Sequence, residues 1–374
     1  MILDSAVGST ASRKRTIALI IPSSGGLHYV ARSCAEELRK RGFSVVGLEV
    51  VDTGWPAATA LCTAVRMRRS LRDVSHVHVD LGSTAVGAFW LGLFVSLIRR
   101  GGVVTTVHDG PGLVKHPGSG LISTAPGLRN FIAYRILSAS LDRPLRWLYR
   151  LRCRQWFVFS ESAADELRRM SIRPVAVLQL GGDPPTASAP PSAGQTVVFA
   201  GYISPAKGLD TLVEAWKLGK CYQHLQLRVA GHASATHLAY AEKQRSALFA
   251  FDPESQWLGF VSDERLKDLI AQAAVVVLPY RQSSAASGVL SRAMVEGRAV
   301  IATPVPALIP HVTNRSTGIV IPVDDPAALA SAIEELAGDA TLRDALGSAA
   351  AIHAAQEFTW SAQVDGLLSV FNGG

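Results

Sequence analysis

The stretch Thr16–Val50, TIALIIPSSGGLHYVARSCAEELRKRGFSVVGLEV, sets the tightest limit on what this chain can fold into. Ile17–Ile21 is a short unbroken apolar run, the pattern of a strand buried on both faces. Gly25 and Gly26 open a helix in which Val30, Cys34, Ala35 and Leu38 recur at helical spacing. Arg39, Lys40 and Arg41 followed by Gly42 have the chemistry of a helix C-terminus, and SVVGLEV reads as a second strand. Strand, glycine turn, helix, strand is a βαβ unit, which requires a parallel sheet with right-handed crossovers.

The alternation continues. VSHVHVD reads as a strand, Ala85–Ile98 as a helix, GVVTTVHD and RQWFVFS as strands, Ser162–Met170 as a helix and PVAVLQL as a strand. Gly181–Gln195, GGDPPTASAPPSAGQ, breaks the pattern with proline, glycine and small residues, the composition of a linker. A fresh series of strands then begins: TVVFAGYI, LQLRVAG, AVVVLPY, RAVIATP and GIVIPV. With 374 residues, 48% of them hydrophobic and 18% charged, the chain is long and apolar enough for two packed domains and unlike a disordered tail. The expected fold class is α/β, with two doubly wound Rossmann-like domains facing a central cleft. The expected boundaries are 1–180, a linker over 181–195, and 196–355, with 356–374 forming a helix that returns to the first domain. Sheets of this kind bind ligands at the carboxyl ends of their strands.

Two loops at such strand ends have the composition to meet an anion. In RQSSAASGVLSRAMVEGRAVIAT, Arg281–Thr303, a run of tiny residues after the strand VVVLPY meets a short helix from about Val289 to Glu296. Free N–H groups and the helix dipole favour a phosphate there, and small side chains let it approach. A tight helix–sheet contact would select the same residues. In FAGYISPAKGLDTLVEAW, Lys207 and Gly208 precede a helix beginning near Leu209, again at the carboxyl edge. A surface lysine is usually just solvated, but two anion-friendly loops in one domain point to a shared ligand such as a diphosphate.

Other features mainly exclude. Cys34, Cys62, Cys153 and Cys221 are scattered, with no metal-type or disulfide spacing, and read as buried thiols of a reducing compartment. The apolar run near the N-terminus is too short for a secretory signal, and Ala85–Ile98 is too short to span a bilayer, which takes about 20 residues. The expected location is therefore cytoplasmic. No metal is expected: there is no Asp-x-Asp strand end, Asp324 and Asp325 read as caps of the helix at Pro326, and His76 and His78 on one strand read as structural.

Between Arg129 and Arg154 lie seven arginines against one acid, Asp142, interleaved with aromatic residues. Arg129, Arg135, Arg143, Arg146, Trp147 and Arg150 suit an anionic membrane surface, peripheral on the inner face of the plasma membrane. An ordinary solvated helix face is the alternative. Nucleic acid is not expected as a partner, because no motif for it accompanies the patch.

Gly-x5-Lys-Gly after a strand, WLGFVSDERLKDLIAQAAVVVLPY and SGVLSRAMVEGRAVIAT resemble the C-terminal domain of retaining family 4 glycosyltransferases. PSSGGLHYVARSCAEELRKRGFSV, SHVHVD, TVHD and FVFSESAADEL resemble their N-terminal domain, and FTWSAQVDGLLSVF their C-terminal tail. The resemblance implies a GT-B architecture that binds a nucleotide sugar through the C-terminal domain and the acceptor on the N-terminal one. It implies that Lys207 neutralises the donor diphosphate, that Ser287, Gly288 and Val289 hold the phosphates through backbone amides, and that His108 lies near the donor sugar. Gly25 and Gly26 match the glycine loop that approaches donor phosphate or acceptor, Gly201 opens the lysine loop, and Phe260 and Val261 fall where the base pocket forms.

Two departures bear on the chemistry. Tyr202 stands where the family often has Arg, and Ser284 and Arg292 stand where it often has a pair of glutamates. An ion pair between Arg292 and Glu296, one helical turn on, accounts most simply for the second. The expected activity is metal-independent, cofactor-free sugar transfer from a nucleoside diphosphate donor to an alcohol, with retention. Such a step would serve bacterial cell-surface polysaccharide or glycolipid assembly, with a lipid-linked or membrane-presented acceptor. The competing expectations are a catalytically inactive nucleotide-binding or scaffold subunit and a nucleotide-sugar epimerase.

Overall fold

The computed structural model describes residues 15–22, 26–50, 56–82, 86–99, 102–108, 114, 132–185, 195–283 and 286–371. It divides into two compact units, one of residues 1–179 with 360–374 and one of residues 180–359.

The first unit is built on six parallel strands: β1 (Thr16–Pro22), β2 (Ser44–Val50), β3 (His76–Leu81), β4 (Val103–Val107), β5 (Cys153–Val158) and β6 (Val175–Val177). Their order across the sheet is β2-β1-β3-β4-β5-β6. The chain steps one way from β1 to β2 and then runs the other way, so the direction reverses between β1 and β3. Crossovers of one hand therefore leave the helix Gly26–Lys40 on one face and the helices Pro56–Met67, Val86–Ile98 and Ile132–Arg152 on the other. Val86–Ile98 is apolar almost all round because it is flanked by both of its neighbours over the sheet. Its C-terminal carbonyls, of Ser96 and Arg99, accept from the Arg152 guanidinium. Arg152 thus serves as a helix cap and is lost to the basic surface.

The last helix, Trp360–Phe371, belongs to this first unit. It packs on the helix Gly26–Lys40, with Trp360 edge-on to Tyr29 at 5.8 Å and Phe371 stacked on His76 at 4.2 Å. Arg41 Nη2 donates to Ser361 Oγ at 2.7 Å and Nη1 pairs with Asp365.

The second unit repeats the plan with β7 (Thr196–Ala200), β8 (Gln226–Ala230), β9 (Gln256–Gly259), β10 (Val275–Leu278), β11 (Ala299–Ala302) and β12 (Ile319–Val320). All are parallel, in the order β12-β11-β10-β7-β8-β9. The core strands β7, β10 and β11 are buried on both faces, as their unbroken apolar runs require. Here the chain moves outward from β7 through β8 to β9 and then returns to the other side of β7. The reversal lies between β7 and β10.

The structure adds the helix Pro56–Met67 and the short strand β9 to the elements expected from sequence. It also corrects one thiol, since Cys62 on that helix is exposed while Cys34, Cys153 and Cys221 are buried. Part of the expected linker, residues 186–194, lies outside the described residues.

Candidate functional site

The reversal between β7 and β10 puts the loops after those two strands side by side at the carboxyl edge, where open parallel sheets bind ligands. The loop after β7 carries Gly201, Tyr202 and a 3₁₀ turn, Pro205–Lys207. The loop after β10 runs through Tyr280 and Arg281 to the helix Gly288–Val295. The small-residue stretch and Lys207, eighty positions apart in sequence, are thereby brought together.

Gly208 makes the approach possible. Its φ is 65°, and a Cβ added there would lie 1.9 Å from the Pro279 carbonyl oxygen at the end of β10. Only glycine satisfies both demands. The backbone N–H of Arg281 donates to the Ala206 carbonyl at 2.9 Å, which pins the turn against the β10 loop. The Arg281 side chain completes the clamp. Nη1 donates to the Pro205 carbonyl at 2.8 Å, and the two terminal nitrogens meet both oxygens of Asp210 at 2.7 and 2.9 Å. Nε reaches Asp324, in the loop after β12, and Tyr240 donates its hydroxyl to Asp210 at 2.8 Å. Burial by itself would push the Asp210 carboxyl up, but the Arg281 fork and the Tyr240 hydroxyl outweigh it and hold the group below its ordinary value. Asp325 caps the next helix by accepting from the Ala328 N–H, as expected, whereas Asp324 serves Arg281.

Held in this way, Lys207 sets its ammonium over the Tyr280 ring, 3.6 Å from the centroid. The Tyr280 hydroxyl is 3.4 Å from Ser287 Oγ. Ser287 is the N-cap of the helix Gly288–Val295: its side chain accepts from the Leu290 N–H at 3.2 Å and its carbonyl from Ser291 N–H at 3.0 Å. The Val289 side chain is buried in the core. What this helix end offers an anion is therefore its leading backbone amides, at Gly288 and Val289, and the positive end of its dipole. Ser284 lies outside the described residues. Arg292 Nη2 pairs with Asp263 Oδ1 at 2.9 Å, on the helix Asp263–Ala271, a partner that helical spacing alone does not suggest.

Beside this cradle, the ends of β7, β8 and β9 present a row of rings. Phe260 is 70% exposed and stands edge-on to His232 at 5.6 Å, and His232 is edge-on to Tyr202 at 5.7 Å. The Tyr202 hydroxyl accepts from the Ser234 N–H at 3.0 Å. Val261 turns inward onto the core. The row can take a flat apolar group, and the cradle next to it an anion.

In the first unit Gly25 lies outside the described residues, and Gly26 begins the first helix. His108, just beyond β4, is buried, with Nε2 2.6 Å from Asp80 Oδ1 at the end of β3. His78 Nε2 is 2.7 Å from Thr106 Oγ1, in the same buried row. Burial lowers the His78 imidazole. Burial would raise the Asp80 carboxyl, but its two histidine neighbours outweigh that and hold it below its ordinary value. Among the described residues no group of three or more His, Cys, Asp or Glu is arranged to hold a metal ion.

On the helix Ile132–Arg152, Trp147 and Leu151 are 58% and 56% exposed, and Arg143 and Arg150 are exposed beside them. Arg150 also donates to the Ser171 carbonyl at 2.8 Å, and Arg146 is half-buried. Arg129 and the Arg135 side chain lie outside the described residues. No helix among the described residues is long and apolar enough to cross a membrane.

Comparison with known proteins bears on the fold and on the second unit. The chain is 31% identical over 185 residues to D-inositol 3-phosphate glycosyltransferase of Jonesia denitrificans, covering 48% of this chain and 43% of that protein. It is 28% identical over 183 residues to phosphatidyl-myo-inositol mannosyltransferase of Mycobacterium leprae, covering 48% and 47%. The likeness thus spans about half the length of the curated relatives. HepE from Anabaena, solved with UDP and glucose, superposes with a TM-score of 0.70 at 16% identity, over 96% of this chain and 100% of that one. The fold is the α/β GT-B type, and residues 194–339, within the second unit and including the whole Lys207–Ser287 cradle, match the family described as glycosyl transferases group 1.

Proposed function

We propose that the chain is a glycosyltransferase that moves a sugar from a nucleoside diphosphate donor to an alcohol. The observation that carries this reading is the convergence of Lys207, Tyr280 and the capped helix end at Ser287 on the carboxyl edge of the second sheet. Departure of the nucleoside diphosphate builds negative charge on the β-phosphate. A fixed ammonium and a row of backbone amides stabilise that charge as it forms, which lowers the barrier without moving any group. In this reading Gly201, Tyr202, Gly288, Val289 and Arg292 serve the donor, and Phe260 and Val261 border the base.

On the first unit, taken by itself, His108 offers its imidazole to a carbohydrate hydroxyl. No metal or cofactor takes part, and the bond forms with retention. In the absence of the glutamate pair, the leaving phosphate takes the proton of the acceptor alcohol. The exposed Trp147 with Arg143 and Arg150 supports a membrane-presented or lipid-linked acceptor at the inner face of the plasma membrane, in cell-surface polysaccharide or glycolipid assembly.

Turnover of UDP- and GDP-sugars by the purified chain, with and without Lys207→Ala, tests the reading. Removing one such electrostatic contact typically costs about 10²–10³ in kcat. Turnover that survives Lys207→Ala undiminished rules the assignment out.

The engagement of Arg292 by Asp263 favours one rival, a nucleotide-binding subunit without activity, because that position is used for an ion pair. Nucleoside diphosphate binding with no donor consumption would select it. A product that is still a nucleotide sugar would select an epimerase.

A further inference from the structure

We infer that Asp80 is a positioning residue, which fixes the tautomer of His108 so that Nδ1 is the ring atom presented to a carbohydrate hydroxyl. The inference rests on the glycosyltransferase reading for the substrate, and on the first unit alone for the geometry.

The register of the first sheet sets Asp80 on β3 opposite Thr106 on β4. Successive side chains on a strand alternate faces, so His78 shares the Asp80 face. His108, two positions beyond Thr106, continues the same row to the carboxyl edge. A line of polar groups results along one face of a parallel sheet: Thr106, His78, Asp80, His108. His78 and Asp80 are each 3% exposed and His108 is 9% exposed. His78 Nε2 holds Thr106 Oγ1 at 2.7 Å, His78 Nδ1 stands 3.9 Å from Asp80 Oδ2, and Asp80 Oδ1 lies 2.6 Å from His108 Nε2.

An ionised carboxylate has lone pairs and no hydrogen to give. At 2.6 Å the hydrogen of the Asp80–His108 contact therefore belongs to Nε2, which donates to Oδ1. In its neutral form the imidazole carries one hydrogen, and with that hydrogen on Nε2 the lone pair is on Nδ1. The Phe159 ring, 4.9 Å away, packs against the imidazole. A group at the strand end that accepts a hydrogen bond through Nδ1 matches a non-reacting hydroxyl of the sugar or acceptor, which has one hydrogen to donate and is held in place by giving it. Such carboxylate–histidine pairs orient a ring by binding the nitrogen that does not meet the substrate.

The test uses the full chain labelled with ¹⁵N, in which long-range ¹H–¹⁵N correlations report the tautomer of each histidine. The expected wild-type result is His108 with its hydrogen on Nε2. Asp80→Asn should lose that preference and lower kcat for transfer at least tenfold, with the donor KM changing less than threefold, and Asp80→Glu should restore part of kcat. A hydrogen on Nδ1 in the wild type overturns the inference. So does an Asp80→Asn chain that keeps both tautomer and kcat, or one that loses kcat with the tautomer unchanged. Should Asp80→Asn not fold, the wild-type spectrum decides the matter by itself. If the wild type consumes no nucleotide sugar, the functional reading fails, and the tautomer still upholds or overturns the placement of Asp80.

Discussion

Lys207 Nζ stands 3.6 Å from the centroid of the Tyr280 ring, so one aromatic side chain supports the cation from below while its hydroxyl reaches the Ser287 cap. Tyr280 is 1% exposed, and two functions of one residue can be separated by substitution. Tyr280→Phe keeps the ring under the ammonium and loses only the hydroxyl contact, so it should cost about 1 kcal/mol of stability. Tyr280→Ala removes the ring from the core and should cost about 3–5 kcal/mol. Urea unfolding checks both. Equal losses in the two variants would show that the hydroxyl, and not the ring, is the working part.

The Arg281–Asp210 clamp carries a pH dependence. Asp210 lies below its ordinary value, near 3.8, because Arg281 and Tyr240 outweigh the effect of burial. The folded state therefore keeps this carboxylate ionised where the unfolded chain protonates it. Its stabilisation is complete above the unfolded value and is lost as pH falls through the lower, folded one. Arg281→Gln should flatten the stability profile below about pH 4, where the unfolded carboxylate titrates. Urea unfolding at a series of acid pH values measures it, and an unchanged acid limb would dismiss the clamp as the source.

A second titration acts at higher pH. Burial first, and then the neighbouring His353 at 3.2 Å, push His311 down to about 4 from an ordinary 6.5, with Glu357 opposing. Between those values the unfolded chain binds a proton that the folded chain refuses. Stability is thus full above about pH 6.5 and falls as the pH approaches about 4, by on the order of 2 kcal/mol once partial exposure is discounted. His311→Gln should remove this slope. Denaturation profiles of the two proteins that run parallel across the interval would contradict it.

The exposed face of the helix Ile132–Arg152 leads to a binding prediction. Each basic side chain near an anionic bilayer contributes about 1 kcal/mol. Arg143→Gln with Arg150→Gln should weaken co-sedimentation with phosphatidylglycerol vesicles roughly thirtyfold, from the sum of two such contributions. Vesicles of phosphatidylcholine should bind neither protein. Retention of full binding by the double variant would remove this face from the membrane reading.

Much of the fold is written locally. Val197–Ala200, Val275–Leu278 and Ala299–Ala302 are apolar runs bounded by glycine or polar turns, and each is a central strand. Pro56–Met67 is less legible because Leu61 and Val65 face outward, which blurs the helical period. β9 is short and half-buried, so it has no unbroken run to recognise. In the site, Lys207 and Ser287 announce themselves by loop chemistry, whereas the parts that hold them do not. Asp210 and Arg281 look like ordinary charges until the strand order brings their loops together. Asp80 is the last residue of HVHVD and nothing there marks it, because its partnership with His108 depends on β3 and β4 being neighbours in register. Asp263 likewise becomes the partner of Arg292 only through helix packing.

The helix Trp360–Phe371 completes the first unit after the chain has traced the whole of the second. On a ribosome, residues 180–359 have all their own strands in hand while the earlier unit still waits for its final helix. Until that helix arrives, the faces of Tyr29 and His76 that it covers stay open, and Arg41 lacks Asp365. The first unit is therefore finished after the second, and a released chain ending at Thr359 would hold a complete second unit and an uncovered first.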